Sequence, residues 1–439
     1  MSDIQSSSSQ TANLLERTLY GLNSLLVFWF FAFLITGPKS SLATTVLLAL
    51  SLITLPATVR MAPKVWAVAA PWLIGLGAYC AYQIAYRLID GGMDARLDPP
   101  ARYLGAIPVL FYLSHYGFSI KGLWAGLAVG CIVGGLAGAQ EVLIDGAPRA
   151  GVGHHPIAYG SILALMTVAA LHGATTIKTK AWQTLLYAGF IVGLIGALLS
   201  GTRGLYPALA ACIAYVGYRQ LKQHAMPART IFLWVLAALS AITVIASQIP
   251  AVQKRFEQTQ SEITRISKGN LETSFGHRLQ MWHAGLYIIS QRPIFGLGPE
   301  VKKRLPFTQD FMAANKYNKS VLTRYDHLHN LFINEAASFG LAGLAVLGGL
   351  LFGAIRGVRG EARGVITLAL IIILIEGLTE NVLGHQRFLM AFVILATVIR
   401  ARQIVTESRE KQIIPDLQAN PAACGGDPAP RWAGNTPNP

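Results

Sequence analysis

Charge is what this sequence has least of. Asp, Glu, Lys and Arg make up 13% of its 439 residues while 53% are hydrophobic, a balance that excludes an ordinary soluble globular chain. Acids are scarcer than bases, 21 against 36, for a formal net charge of +15. Cysteine is scarce as well. Cys80, Cys131 and Cys212 lie in apolar segments and Cys424 near the end, with no metal-ligand or disulfide spacing, so they read as small packing residues. There is no internal repeat of clear period and no glycine-rich phosphate loop. Gly296-Leu-Gly298 is a turn signal with no strand before it and no clear helix after it. Nucleic acid is not an expected partner, and no cofactor is expected.

What is present are apolar blocks about 17–22 residues long, enough to cross a hydrocarbon core of roughly 30 Å. They do not alternate as barrel strands do, and in lipid the remaining solution is a bundle of helices. The pattern predicts an all-α polytopic membrane protein with twelve spans near 19–36, 42–58, 65–87, 103–117, 122–142, 156–172, 182–199, 204–218, 231–248, 337–355, 365–382 and 387–401. Residues 1–18 read as a polar cytoplasmic arm, 249–336 as one large outer loop, and 402–439 as a disordered cytoplasmic tail. The first apolar run lacks a convincing cleavage site and reads as a retained helix.

Basic residues set the orientation. Arg60, Lys64, Lys178, Lys180, Arg219, Lys222, Arg229, Arg356, Arg359, Arg363, Arg400 and Arg402 share one side, expected to be cytoplasmic with both termini. Lys39, Arg96, Arg102, Arg149, Arg203 and Arg387 are left on the other side with the large loop. Within that loop, 274–291 reads as an amphipathic helix with Leu279, Trp282, Leu286 and Ile289 on one face, ended by Pro293. Its surplus of Lys and Arg suits a solvated surface and also a lid that attracts phosphate-bearing lipids.

Candidate chemistry gathers where this loop meets the tenth span, in Arg324-Tyr-Asp-His-Leu-His-Asn330. An imidazole there, at the water–lipid boundary, can exchange protons near neutral pH, and helix N-terminal amides beside His329 would favour its neutral form. Gly340 and Gly343 would let a neighbouring helix approach closely. His327, two residues earlier, is a metal half-site that Asp326 or Glu335 could complete; a polar shell around His329 is the simpler role, and no metal is expected. Arg203, in Ser200-Gly-Thr-Arg-Gly204, and Arg278, in Gly276-His-Arg-Leu-Gln-Met-Trp282, could clamp a diphosphate bidentately. Arg149 and His154 precede the sixth span on the same side and could bind sugar or phosphate. Glu141 and Glu376, acids within spans, raise a transport alternative, though both lie near helix ends.

His329-Asn330, nine residues, Gly340, two residues, Gly343, with Arg203 and Arg278…Trp282 in that order, resembles the signature of the O-antigen ligase and O-antigen polymerase superfamily. The resemblance implies a metal-independent, inverting glycosyltransferase of the GT-C type in the bacterial inner membrane, its active site facing the periplasm. It implies transfer of O-antigen from undecaprenyl pyrophosphate to a sugar hydroxyl of lipid A–core oligosaccharide, with His329 as general base and Arg203 and Arg278 holding the pyrophosphate. Asn330, His327, Arg149, His154 and Trp282 are then candidate substrate contacts. A polymerase or a protein O-oligosaccharyltransferase would use the same donor.

Overall fold

The computed structural model describes residues 2–37, 40–91, 97–223, 227, 229, 230, 233 and 250–419. Every regular element among them is helical. Among the described residues, six helices are long and apolar enough to cross a membrane: Leu55–Ile89, Ile120–Leu143, Pro156–Thr176, Lys180–Leu199, Leu331–Ile355 and Gln386–Ser408. Twelve were expected, and several of the other expected runs form shorter or divided helices. The run at 103–117 breaks at Gly105 into α5 (Asp98–Leu104) and α6 (Ala106–Tyr116). The second run gives only the 14-residue α2 (Ser40–Ile53), after α1 (Ser2–Ala32). The span expected at 231–248, like Lys39 and Arg96, lies outside the described residues.

After the short α3 (Leu55–Thr58), α4 (Ala62–Gly91) begins the bundle proper. It is followed by α7 (Ile120–Leu143), α8 (Pro156–Thr176), α9 (Lys180–Leu199) and α10 (Leu205–Gln223). α8 is the axis. It is apolar on every face, as a helix without a water-facing side must be, and 94% of its apolar window is buried within the protein. Around it pack α7, α9, α10 and two later helices, α16 (Gly360–Glu376) and α17 (Gln386–Ala419). α1 extends back to Ser2, through the stretch expected as an arm, and α17 runs on to Ala419, past the expected end at 401. Helix formers such as Glu407, Arg409, Glu410, Lys411 and Gln412 carry that extension.

The large loop folds as α11 (Pro250–Ser267), α12 (Ser274–Gln291), α13 (Val301–Ala314) and the single turn α14 (Val321–Arg324). Thr273 caps α12 by accepting from the Gly276 N–H at 3.0 Å. The buried stripe of α12 is not the expected Leu279–Ile289 face. It is Met281, Ala284 and Ile288, packed on Met312, Val321, Leu322 and Leu328, while Leu286 points outward. A helix, α13, does follow the Gly296-Leu-Gly298 turn.

That turn is stitched into the membrane helix α15 (Leu331–Ile355). Gly340 interrupts α15 at φ 70°, and the chain from Pro293 to Gly298 supplies the missing partners. Leu341 and Ala342 donate to the carbonyls of Pro293 and Ile294 at 2.8 and 3.2 Å, while Leu297 and Gly298 donate to Ala337 and Ser338 at 2.9 Å each. Such exchange is how a broken helix keeps its backbone satisfied within lipid. Gly340 therefore accommodates loop backbone, where the sequence pattern suggested a neighbouring helix. Close helix contact occurs further along, where Gly349 and Gly353 meet Gly75 and Pro71 of α4.

Candidate active site

α15 begins at a cap that fixes everything before it. The Asn330 side-chain oxygen accepts from the Ile333 N–H at 2.9 Å, closing the first turn. Its amide nitrogen donates to the Leu378 carbonyl at 2.8 Å, and Leu331 N–H donates to the Gly377 carbonyl at 2.8 Å. The 377–385 segment between α16 and α17 is thereby laid across the start of α15. Asn330, expected as a substrate contact, uses both polar atoms within the fold. His329 just before it adopts φ 47°, a conformation a branched or bulky residue holds only under constraint. The Trp282 indole N–H supplies part of that constraint by donating to the His329 carbonyl at 3.2 Å.

The 377–385 segment brings in the residue the sequence reading missed. Glu380 is 1% exposed. Its Oε1 lies 2.5 Å from His327 Nε2 and accepts from the Asn381 N–H at 3.0 Å. Its Oε2 lies 2.8 Å from His329 Nδ1 and 3.6 Å from Arg278 Nη2. Burial pushes this carboxyl up, but hydrogen bonds from His327 and His329, and their charge, hold it well below the usual carboxylate range. An ionised carboxylate can only accept, so Nδ1 of His329 must carry the proton and donate. The lone pair then resides on Nε2, the arrangement in which an imidazole acts as a base. His385 joins the group, its Nε2 3.9 Å from Glu380 Oε1, and burial pushes its imidazole down to about 4.

Glu380 also lines a cavity of about 330 Å³ whose other walls carry Arg149, Arg203, Arg255 and Arg278. Facing them are two carboxylates, Glu380 and Glu262. Arg203 pairs with Glu262 at 3.0 Å. Arg149 donates to the Ser200 carbonyl at 2.7 Å, and burial followed by the neighbouring Arg255 lowers it to about 10. Burial lowers Arg278 and Arg255 in the same direction. Four guanidinium groups crowded against two acids leave a cavity short of negative charge, which an anion would supply.

Arg203, Arg278, Arg149 and Glu380 thus converge, and His329, His327 and Trp282 adjoin them through Glu380 and the His329 backbone. His154 does not join them. Its Nε2 lies 2.7 Å from both the Ile35 carbonyl and Arg387 Nη1, which is 3.2 Å from its Nδ1. Glu141 accepts from the Gly151 and Val152 N–H groups at 2.7 Å each, and Glu376, at the last turn of α16, accepts from Ser161 at 2.6 Å. His327, Glu380 and His385 offer ligand atoms within 4.8 Å of one another, the spacing of a divalent-metal site. A metal there would have to displace the His327–Glu380 hydrogen bond. Asp326 and Glu335, the partners expected for His327, are not among those three residues.

Residues 188–348 match the O-antigen ligase family. That segment holds Arg203, Arg255, Arg278, Trp282, His327, His329 and Asn330, so His329 and three of the four cavity arginines fall inside it. Arg149, Glu380 and His385 fall outside. An uncharacterized protein of Haemophilus influenzae is 24% identical over 257 residues, 57% of this chain, and the match spans 63% of that protein's own length.

Sequence position alone could have nominated two of the missed residues. Glu380 and His385 sit in a short polar break between two apolar runs, on the side already assigned to His329 and Arg203. Arg255 carried no such signal among the other basic residues of its loop.

Proposed function

We propose that the chain is an O-antigen ligase of the GT-C type, acting at the periplasmic face of the bacterial inner membrane. The observation that supports this most is Glu380. It joins the His329 imidazole to a cavity of four arginines, so a proton acceptor and an anion clamp share one buried carboxylate. The acceptor would be a sugar hydroxyl of lipid A–core oligosaccharide, the donor O-antigen on undecaprenyl pyrophosphate. His329 Nε2 takes the hydroxyl proton as the oxygen attacks the anomeric carbon from the side opposite the pyrophosphate. The anomeric carbon–oxygen bond breaks, its electron pair stays on the pyrophosphate, and the configuration inverts. Arg203 and Arg278, with Arg149 and Arg255, stabilise the departing charge where water is excluded. Glu380 keeps the ring in the productive tautomer and stabilises the imidazolium that forms.

The test is reconstitution with lipid-linked O-antigen and lipid A–core, with and without chelator. Capped lipopolysaccharide at an unchanged rate in chelator, and its loss in His329→Ala, is the expected result. Elongation of the lipid-linked glycan without lipid A–core would identify a polymerase instead. Glycan found on protein would identify a protein O-oligosaccharyltransferase, and solute flux across sealed vesicles a transporter.

A further inference from the structure

The carboxylate at the centre of the site has more imidazoles around it than a single base requires. His329 engages Glu380 Oε2, and two further rings approach the other oxygen. His327 Nε2 lies 2.5 Å from Glu380 Oε1 and His385 Nε2 lies 3.9 Å from it, and the three ligand atoms fall within 4.8 Å of one another. Around a tetrahedral zinc ion, with bonds of about 2.0–2.2 Å, neighbouring ligand atoms stand about 3.4 Å apart. The observed separations straddle that value. His385 Nε2 is buried and has no hydrogen-bond partner among the described residues, although a buried polar atom ordinarily finds one. The Asn381 N–H, 3.0 Å from Glu380 Oε1, keeps that oxygen oriented. The transfer chemistry above uses neither His327 nor His385.

We infer that His327, Glu380 and His385 bind a divalent transition-metal ion of the Zn²⁺ class, and that the bound ion switches transfer off; the second half rests on the ligase reading above. The donor set decides the class. Two imidazoles and one carboxylate suit Zn²⁺ and its neighbours, whereas Ca²⁺ and Mg²⁺ take oxygen ligands. Binding needs one exchange. The proton that His327 Nε2 shares with Glu380 leaves that nitrogen, the ring keeps a proton on Nδ1, and the Nε2 lone pair goes to the ion. His385 Nε2 gives up no hydrogen bond to do the same. Inhibition follows from proximity. The ion sits on the carboxylate that orients His329, whose ring centroid is 4.5 Å from that of His327. Its charge opposes the imidazolium that forms as His329 takes the acceptor's proton, and it draws on the negative charge with which Glu380 stabilises that imidazolium. The metal-free protein is then the active form.

The experiment uses the full chain in detergent, stripped of metal by chelator. It is titrated with Co²⁺, whose visible absorption reports tetrahedral coordination, and then with Zn²⁺ in competition. Wild-type protein should take up one ion with a tetrahedral spectrum, and Zn²⁺ should raise its melting temperature. His385→Ala and His327→Gln should each weaken Co²⁺ binding at least tenfold and lose the Zn²⁺-dependent rise. Either variant that shows a folded melting transition without metal decides the point. In transfer assays Zn²⁺ should lower the wild-type kcat at least tenfold with donor KM within twofold, and chelator should restore it. At the same Zn²⁺ concentration His385→Ala should keep at least half of its own metal-free rate. Co²⁺ uptake that is absent, or unchanged in both variants, would overturn the site. Zn²⁺ that binds through these residues and leaves the rate unchanged, or raises it, would overturn the switch. Glycan transfer by a protein that takes up no ion sinks this inference alone. Uptake through these residues by a protein that transfers no glycan sinks the ligase reading and leaves the metal site standing.

Discussion

Arg278 and His329, 51 residues apart in the chain, meet at a single atom: Oε2 of Glu380 stands 2.8 Å from His329 Nδ1 and 3.6 Å from Arg278 Nη2. One carboxylate thereby orients the base and fixes a guanidinium of the anion cavity. Glu380→Gln keeps the shape but presents an amide that can offer its N–H₂ to His329 and leave the ring in the wrong tautomer. The expected loss of kcat is about 10–100-fold, with donor KM changed much less. Steady-state kinetics against both substrates checks this; a rise confined to donor KM would assign Glu380 to binding instead.

The arginines should differ from one another. Arg203→Lys retains charge but loses the planar fork, and a lost charge-assisted hydrogen bond of about 1.5–3 kcal/mol corresponds to about a 10–150-fold drop in kcat/KM. Arg255→Ala should raise donor KM with a smaller effect on kcat, because Arg255 lines the cavity without touching Glu380. Weakening of donor binding with added salt should be shallower in Arg255→Ala than in wild type. Equal salt slopes would remove Arg255 from the clamp.

Acid should act through two residues in different pH windows. Glu380 is an acid held well below its ordinary value, so it stabilises the fold above its unfolded pKa of about 4.3 and that stability is lost as pH falls through the lower folded value. His385 is a base lowered from 6.5 to about 4. The unfolded chain takes up its proton first, so the fold loses stability as pH drops from about 6.5 to 4. Melting temperatures in detergent should therefore fall less steeply between pH 6.5 and 4 in His385→Asn, and less steeply below about pH 4.3 in Glu380→Gln. Parallel wild-type and variant curves would contradict both.

Gly340→Ala should be severe where Gly348→Ala is mild. At Gly340 a Cβ would collide with the Ile294 carbonyl; the backbone conformation there, φ 70° and ψ −172°, is essentially glycine-only and costs another residue about 1–3 kcal/mol, before the collision. A Cβ added at Gly348 would have nothing within 4 Å, and alanine gains up to about 1 kcal/mol in a helix interior. Thermal unfolding of both variants, scored with folded yield, distinguishes the two. Equal stability would mean the loop can leave α15 at little cost.

The helical membrane architecture was legible because apolar runs of spanning length admit few folds. His329, Arg203 and Arg278 were legible because each is a polar group placed against lipid, which needs a reason. Asn330 and Trp282 were expected as substrate contacts; in the structure one caps α15 and the other donates to the His329 carbonyl. Glu380 was missed because its partners lie 51 to 102 residues earlier, and a lone acid in a short polar break carries no periodicity. The α12 face was misread because Leu286 is large and apolar yet exposed, while the small Ala284 and Gly285 meet the neighbouring helices. Sequence periodicity weighs side chains by hydropathy, whereas close packing here selects them by size.

The seam at Gly340 is written in main-chain atoms, and at Gly340 and Gly296 it leaves no room for a side chain. Nor can it absorb a change of count. Between Asn330 and Gly340 the helix acts as a ruler with both ends pinned, one by the cap beside the base and the other by the Pro293–Gly298 crossing. An inserted residue would swing one end about 100° relative to the other, turning the imidazole off its carboxylate or tearing the crossing open. Along this stretch the length should stay fixed as strictly as Asn330 and Gly340 themselves.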